Sequence, residues 1–292
     1  MSEGRRDRGG EGALAVLGAG TMGHGIAQVA AMAGLATRLF DVDGTALATA
    51  LERIEANLDT GIERGKVAPD RKDATLAALS VHTDLEEATG GVGIVIEAVP
   101  ERLELKRSLL SRSAETAAAE AMLATNTSSL SIARIAEAVP APERVIGMHF
   151  FNPVHIMALV EIVRGPETSE ATVERARALA GRFEKTPIVV RDSPGFASSR
   201  LGIAFGLEAI RMVEEGVASA EDIDTAMTLG YRHPMGPLRL TDLVGLDIRL
   251  DIARYLHREL GSRFEPPALL ERMVEEGKLG KKTGEGFYTW EE

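Results

Sequence analysis

Ala13-Leu14-Ala15-Val16-Leu17-Gly18-Ala19-Gly20-Thr21-Met22-Gly23 is an apolar, β-rich run that closes on a G-x-G-x-x-G turn. An alanine-rich helical stretch, Met22–Ala33, follows and stops at Gly34, and the next β-rich run ends on an acid, Leu39-Phe40-Asp41. Strand, glycine turn, helix and acid-tipped strand in that order make a dinucleotide-binding βαβ unit. Gly18 permits the tight turn, Gly20 lets backbone approach a pyrophosphate, and Gly23 lets the helix lie against the sheet. Thr21 and Met22 open the helix whose free N–H groups face the phosphates. Asp41 follows Gly20 by roughly 20 residues, the offset of a carboxylate that binds the adenosine ribose hydroxyls. Such an acid repels a 2′-phosphate, so the cofactor expected is NAD rather than NADP.

Composition narrows the field around that unit. A chain of 292 residues with 45% hydrophobic content has the length for two domains and the apolar share of a globular protein. No apolar run reaches the ~20 residues that span a bilayer. Residues 1–12, MSEGRRDRGGEG, lack the apolar core of a signal peptide and read as a disordered tail. With zero cysteines, disulfides and thiolate chemistry are excluded, and a cytoplasmic location fits. The net charge of −11 argues against nucleic acid as a general partner.

From the opening strand to about residue 190, short β-rich runs alternate with helical ones, which predicts a Rossmann-type, doubly wound α/β sheet. Strands are expected at Ala13–Leu17, Thr37–Phe40, Val92–Glu97, Ala121–Ala124, Arg144–Met148, Leu159–Val163 and Pro187–Val190. Helices are expected at Arg102–Ala119, Ser129–Ala138 and Thr168–Phe183. The interval Gly44–Ser80 is too long for a simple crossover and reads as an inserted helical hairpin projecting from the sheet, broken around Gly65–Asp70. Its charges, among them Arg53, Arg64, Lys66, Arg71 and Lys72, suit either a solvated face or a cradle for an acidic ligand.

After Asp192-Ser193-Pro194-Gly195 the pattern becomes helical throughout. One helix is expected at Gly195–Glu215, a second after Ser219 as N-cap, and a third at Thr241–Leu260 beyond the Pro234-Met235-Gly236-Pro237 turn. The expected division is therefore an NAD-binding domain over 13–191 and an all-α domain over 192–292.

A titratable residue near a strand end of a cofactor domain is a candidate acid or base, and His149 ends the apolar strand Val145-Ile146-Gly147-Met148. Glu161 interrupts the apolar run Leu159-Val160-Glu161-Ile162-Val163, and a buried carboxylate needs a partner. The next strand's histidine can be that partner, with the carboxylate fixing the tautomer and stabilising the imidazolium. In Asn126-Thr127-Ser128-Ser129, Ser129 is placed as the helix cap and Ser128 toward the ligand. His24 reads as packing near the pyrophosphate, and no histidine–acid cluster has metal-ligand spacing.

The motifs Gly18–Gly23, Asn126-Thr127-Ser128-Ser129-Leu130, His149-Phe150-Phe151-Asn152-Pro153, Leu159-Val160-Glu161 and Asp192-Ser193-Pro194-Gly195-Phe196 occur in this order. Pro234-Met235-Gly236-Pro237 and Gly280-Lys281-Lys282-Thr283-Gly284-Glu285-Gly286-Phe287-Tyr288 complete the set. Together they resemble the short-chain L-3-hydroxyacyl-CoA dehydrogenases, closest to the stand-alone bacterial 3-hydroxybutyryl-CoA dehydrogenases. The resemblance runs from Ala13 to Tyr288. It implies an NAD-dependent enzyme, a homodimer built through the helical domain, and an acyl-CoA substrate. His149 and Glu161 become the acid–base pair, and Ser128 the donor to the reacting oxygen. Glu101, Lys106, Asn152 and Lys282 become further cofactor contacts. Asn57, Arg64, Lys66 and Lys106 face the substrate. Ser199 stands where many members have asparagine in Pro-Gly-Phe-x-x-Asn-Arg, and either takes over the bond to the reacting oxygen or is only a helix-start residue. The rival readings are a dehydrogenase of a free hydroxy acid of the L-gulonate type and a non-catalytic NAD-binding protein.

Overall fold

The computed structural model describes residues 13–291, so the expected tail at 1–12 lies outside the described residues. Backbone contacts divide the chain into two compact units between Ser193 and Pro194.

The first unit is built on an eight-stranded sheet. Its strands are β1 (Leu14–Leu17), β2 (Thr37–Phe40), β3 (Leu79–His82), β4 (Ile94–Glu97), β5 (Met122–Thr125), β6 (Val145–Phe150), β7 (Leu159–Arg164) and β8 (Thr186–Arg191). They lie in the order β3-β2-β1-β4-β5-β6-β7-β8. Strands β1, β4, β5 and β6 are buried along their whole length, which is why they read as continuous apolar runs rather than alternating ones. The strand order reverses beside β1, the place where open α/β sheets bind ligands. All neighbouring strands are parallel except β6 and β7, which run antiparallel and set His149 directly opposite Glu161.

Several local expectations are corrected. The hairpin, α2 (Gly44–Glu63) and α3 (Pro69–Ala77), does not simply project. The buried positions Leu47, Ala50, Ile54 and Leu58 form a helical stripe in one core with Ile26, Ala27, Val29 and Ala30 of α1 (Gly23–Met32). The hairpin then enters β3, an edge strand missed because Leu79-Ser80-Val81-His82 is short, half polar and pairs on one side only. Ser129 does not cap the helix after β5. That helix, α6 (Ile132–Ala136), is capped by Ser131, whose hydroxyl accepts from Arg134 N and donates to Asp192 at 2.8 Å.

The second unit is helical: α8 (Ser198–Glu214), α9 (Ala220–Thr225), α10 (Pro237–Val244), α11 (Leu246–Leu260) and α12 (Ala268–Glu275), where α7 (Glu170–Arg182) belongs to the first unit. Its core joins Ile203, Leu207 and Ile210 to Leu250, Leu256 and Leu270. The helix expected over Thr241–Leu260 is two helices. Gly245, at φ +104°, breaks the chain between α10 and α11, a conformation L side chains rarely adopt. Gly195 at +74° and Phe196 at +51° likewise delay the start of α8 to Ser198. The C-terminal segment is fastened by Asp242, fully buried, whose carboxylate accepts from Phe287 N, Tyr288 N and Trp290 Nε1 at 2.9, 2.9 and 2.8 Å.

Candidate active site

The glycine turn after β1 is shaped by close approach. A Cβ on Gly18, at φ +102°, would lie 2.9 Å from Ala98 O, and one on Gly23 would lie 1.7 Å from Gly18 O. Gly23 therefore lets α1 approach the turn itself, with Val16 of the sheet only at 3.7 Å. Gly20 is different, because a Cβ there would meet nothing within 4 Å. Its open face, with an α1 N-terminus that has no side-chain cap, offers free N–H groups to an anion. Asp41 ends β2 with Oδ2 accepting from Ala19 N at 2.8 Å and Oδ1 from Asp43 N at 3.1 Å, so the acid is held against the turn. Gly18, Gly20, Asp41, Val42, Val99 and Leu105 line a mostly apolar cleft of about 630 Å³, the size of a nucleotide pocket.

Across the switch point, the strand ends carry the polar groups. His149 Nδ1 lies 2.7 Å from Glu161 Oε2, with the glutamate side chain fully buried and the histidine side chain 10% exposed. A carboxylate only accepts, so Nδ1 carries the hydrogen and Nε2 is the basic nitrogen. Phe151 packs against the ring at 4.5 Å between centroids. Asn126 Oδ1 accepts from Phe150 N at 2.9 Å, tying the end of β5 to β6. Asn152 follows on the surface, joined to Pro153 by a cis peptide bond.

Glu101 gathers the turn after β5. Its Oε1 accepts from Thr127 Oγ1 and from Ser128 N at 3.0 Å, with the Ser128 and Ser129 hydroxyls each at 3.4 Å. Its Oε2 lies 3.3 Å from Lys106 Nζ. Lys106, expected to face a ligand, has no exposed surface at all. Its ammonium is paired with Glu97 at 2.8 Å. Glu97, at the tip of β4, was missed, since it reads as the last residue of an apolar strand.

Asn57 donates to Gln28 Oε1 at 3.0 Å and so ties α2 to α1, while Arg64 and Lys66 are exposed at the hairpin turn. Arg71 and Lys72 are taken up by ion pairs to Glu184 and to Glu55 and Asp59. In the second unit, Ser199 lies in the first turn of α8, and Lys282 is ion-paired with Asp247 at 2.6 Å. His24 Nδ1 meets Gly20 O at 2.9 Å, and burial holds its pKa below the usual imidazole value despite that bond. Among the described residues no group of three or more histidines or acids is placed to hold a metal. No helix among them is long and apolar enough to cross a membrane.

A glycine-turn cleft beside an acid-tipped strand, on a doubly wound sheet followed by a helical unit, defines an NAD-dependent dehydrogenase. Residues 13–193 match the NAD-binding domain of 3-hydroxyacyl-CoA dehydrogenases, and residues 195–290 match the C-terminal domain of the same enzymes. The chain belongs to the 3-hydroxyacyl-CoA dehydrogenase family. It is 45% identical to a Bacillus subtilis protein named probable 3-hydroxybutyryl-CoA dehydrogenase, over 96% of this chain and 97% of that one. It is 41% identical to the 3-hydroxyadipyl-CoA dehydrogenase of Escherichia coli, over 95% of this chain and 58% of that longer one. The crystal structure of the (S)-3-hydroxybutyryl-CoA dehydrogenase of Ralstonia eutropha superposes with a TM-score of 0.93 at 38% identity, covering 97% of this chain and all of that one.

Proposed function

We propose that the protein interconverts a short (S)-3-hydroxyacyl-CoA, with 3-hydroxybutyryl-CoA as the leading candidate, and its 3-ketoacyl-CoA. The observation that carries this is the His149–Glu161 pair at 2.7 Å, with the acid sealed and the ring at the edge of solvent. Glu161 holds the Nδ1 hydrogen, so Nε2 takes the hydroxyl proton in oxidation and returns it in reduction. The imidazolium that forms is stabilised by the glutamate charge. Ser128 donates to the reacting oxygen, and Ser199 is its second donor in place of the asparagine found in many family members. When bound, NAD supplies the acceptor or donor of the hydride. Gly18, Gly20, Thr21, Met22 and Gly23 hold its pyrophosphate, Asp41 its ribose, and Asn152 its nicotinamide end, with Glu101 and Lys282 as further contacts. Arg64 and Lys66, exposed and outside any ion pair in the described residues, suit the phosphates of coenzyme A.

Likeness to a protein named for 3-hydroxybutyryl-CoA along 97% of its length supports the short linear acyl group. The decisive experiment is to mix the protein with acetoacetyl-CoA and NADH and follow the loss of NADH absorbance. Turnover is expected. No turnover there, with turnover of a free hydroxy acid such as L-gulonate, would replace this reading with its rival.

We also propose a homodimer formed by the helical unit, since Leu201, Leu229 and Tyr231 are 71%, 78% and 76% exposed there. Sedimentation at micromolar concentration tests it, and a monomer would contradict it. The cysteine-free chain supports a cytoplasmic protein. Fractionated host cells test the location, and recovery outside the cytoplasm would overturn it.

A further inference from the structure

The sheet's ligand edge rests on a buried charge network that the proposed reaction leaves without a role. Glu97 stands in register with Leu17 of β1 and Thr125 of β5, at the centre of the sheet, and has no exposed surface. Three groups direct four hydrogen bonds onto it: Lys106 Nζ at 2.8 and 3.1 Å, Thr125 Oγ1 at 2.6 Å and Val99 N at 2.7 Å. Burial pushes its pKa up, and the Lys106 charge and hydrogen bonds oppose that. Lys106 enters from α5 (Leu103–Thr116), also sealed, and donates to Val99 O at 3.2 Å.

Two carboxylates share this one ammonium. The second, Glu101, is 37% exposed and is the only one of the three side chains that reaches the surface. Its other oxygen accepts from Thr127 Oγ1 and Ser128 N. An ion pair sealed this completely gains little net stability over apolar groups of the same shape, because desolvation offsets the attraction. What it does supply is fixed geometry, since the three donors of Lys106 are surrounded by four oxygens, two of Glu97 and one each of Val99 and Glu101.

We propose that Glu97 and Lys106 are positioning residues: a sealed pair that pins Glu101 and, through it, the Thr127–Ser128 turn at the reacting oxygen. This rests on the acyl-CoA reading for its catalytic consequence. The pinning of the turn stands independently of that reading.

The test is the neutral double variant Glu97→Gln/Lys106→Met, which removes both charges together and so leaves no unpaired buried ion. Hydrogen exchange at the Ser128 amide, whose N–H Glu101 accepts, is expected to rise by about tenfold or more, while amides of β1 and β7 keep their protection. With acetoacetyl-CoA, kcat is expected to fall by roughly ten- to a hundredfold, as a displaced donor would cause. A purely structural pair would give the opposite result: a folded double variant with exchange at Ser128 and kcat both within about twofold of the parent, which overturns the inference. If the double variant does not fold, Glu97→Gln alone decides. It frees Lys106 to draw Glu101 away from the turn, and unchanged exchange at Ser128 overturns the proposal. Loss of the acyl-CoA reading would show instead as no turnover by the unaltered protein, while the exchange comparison still decides the pinning.

Discussion

Two buried acid–base pairs stand at the same edge of one sheet, and they differ in access rather than in closeness. His149 and Glu161 approach to 2.7 Å and Lys106 and Glu97 to 2.8 Å. Yet the histidine side chain keeps 10% of its surface, whereas the lysine keeps none. A group that trades protons with a substrate needs one atom that the substrate can reach. A sealed pair has no such atom, so its effect is on shape. Burial of the acid alone therefore does not mark a proton-transfer pair; exposure of its partner separates the pair proposed as catalytic from the sealed one.

The largest effect is expected where the sealed pair is broken on one side. Lys106→Met strands the Glu97 carboxylate without its cation and should cost about 3–5 kcal/mol of stability, read from chemical denaturation. His149→Gln should cost clearly less stability, because an amide can still donate to Glu161. If the two losses were reversed, the distinction between the pairs would collapse.

Activity should rank them the other way. His149→Gln is expected to lower kcat by about a hundredfold or more with NAD binding intact, in keeping with removal of a positioned acid–base group. Glu161→Gln should remove much of the turnover as well, since an amide does not stabilise the imidazolium. Wild-type kcat in either variant at saturating acyl-CoA would end the catalytic assignment.

A third strand-end acid sharpens the contrast. Among the described residues Asp41 has no ion-pair partner; it is held by two backbone N–H groups and lines the cleft. Asp41→Ala should leave stability nearly unchanged but weaken NAD⁺ by several-fold and narrow its preference over NADP⁺, measured as KM for each cofactor. Equal KM shifts for both cofactors would remove the ribose assignment.

The smallest effect concerns His24, an imidazole beside the glycine turn that has no carboxylate partner among the described residues. Burial, and to a lesser degree the charge of Arg53, hold its pKa down. Below the unfolded value of ~6.5 the native state thus binds fewer protons than the unfolded chain. Its contribution is present above that pH and is lost as pH falls. Melting temperature should drop between neutral and mildly acidic buffer, and His24→Gln should flatten that drop slightly. A steeper drop in the variant would contradict the sign.

What the sequence by itself determined rests on short-range patterns. The glycine turn and Asp41 are legible because backbone approach and a tight turn admit few residues at fixed spacing. The His149–Glu161 pairing is legible because a carboxylate inside an apolar strand demands a partner and the adjacent strand offers one. Tertiary structure decided the rest. The antiparallel turn of β7 sets the register that brings Nδ1 to Glu161, and neither strand encodes the direction of its neighbour. Lys106 looks like any solvated helix charge until packing shows which side of α5 turns inward, and Glu97 looks like the end of a strand. Ser131 rather than Ser129 caps α6 because Asp192, far along the chain, receives the Ser131 hydroxyl and Ala133 N. The break at Gly245 was hidden for the same reason: a glycine inside a helical pattern is tolerated locally, and only the fold shows its φ of +104° and the close packing in which a Cβ would lie 2.9 and 3.3 Å from the Asp247 and Lys282 side chains.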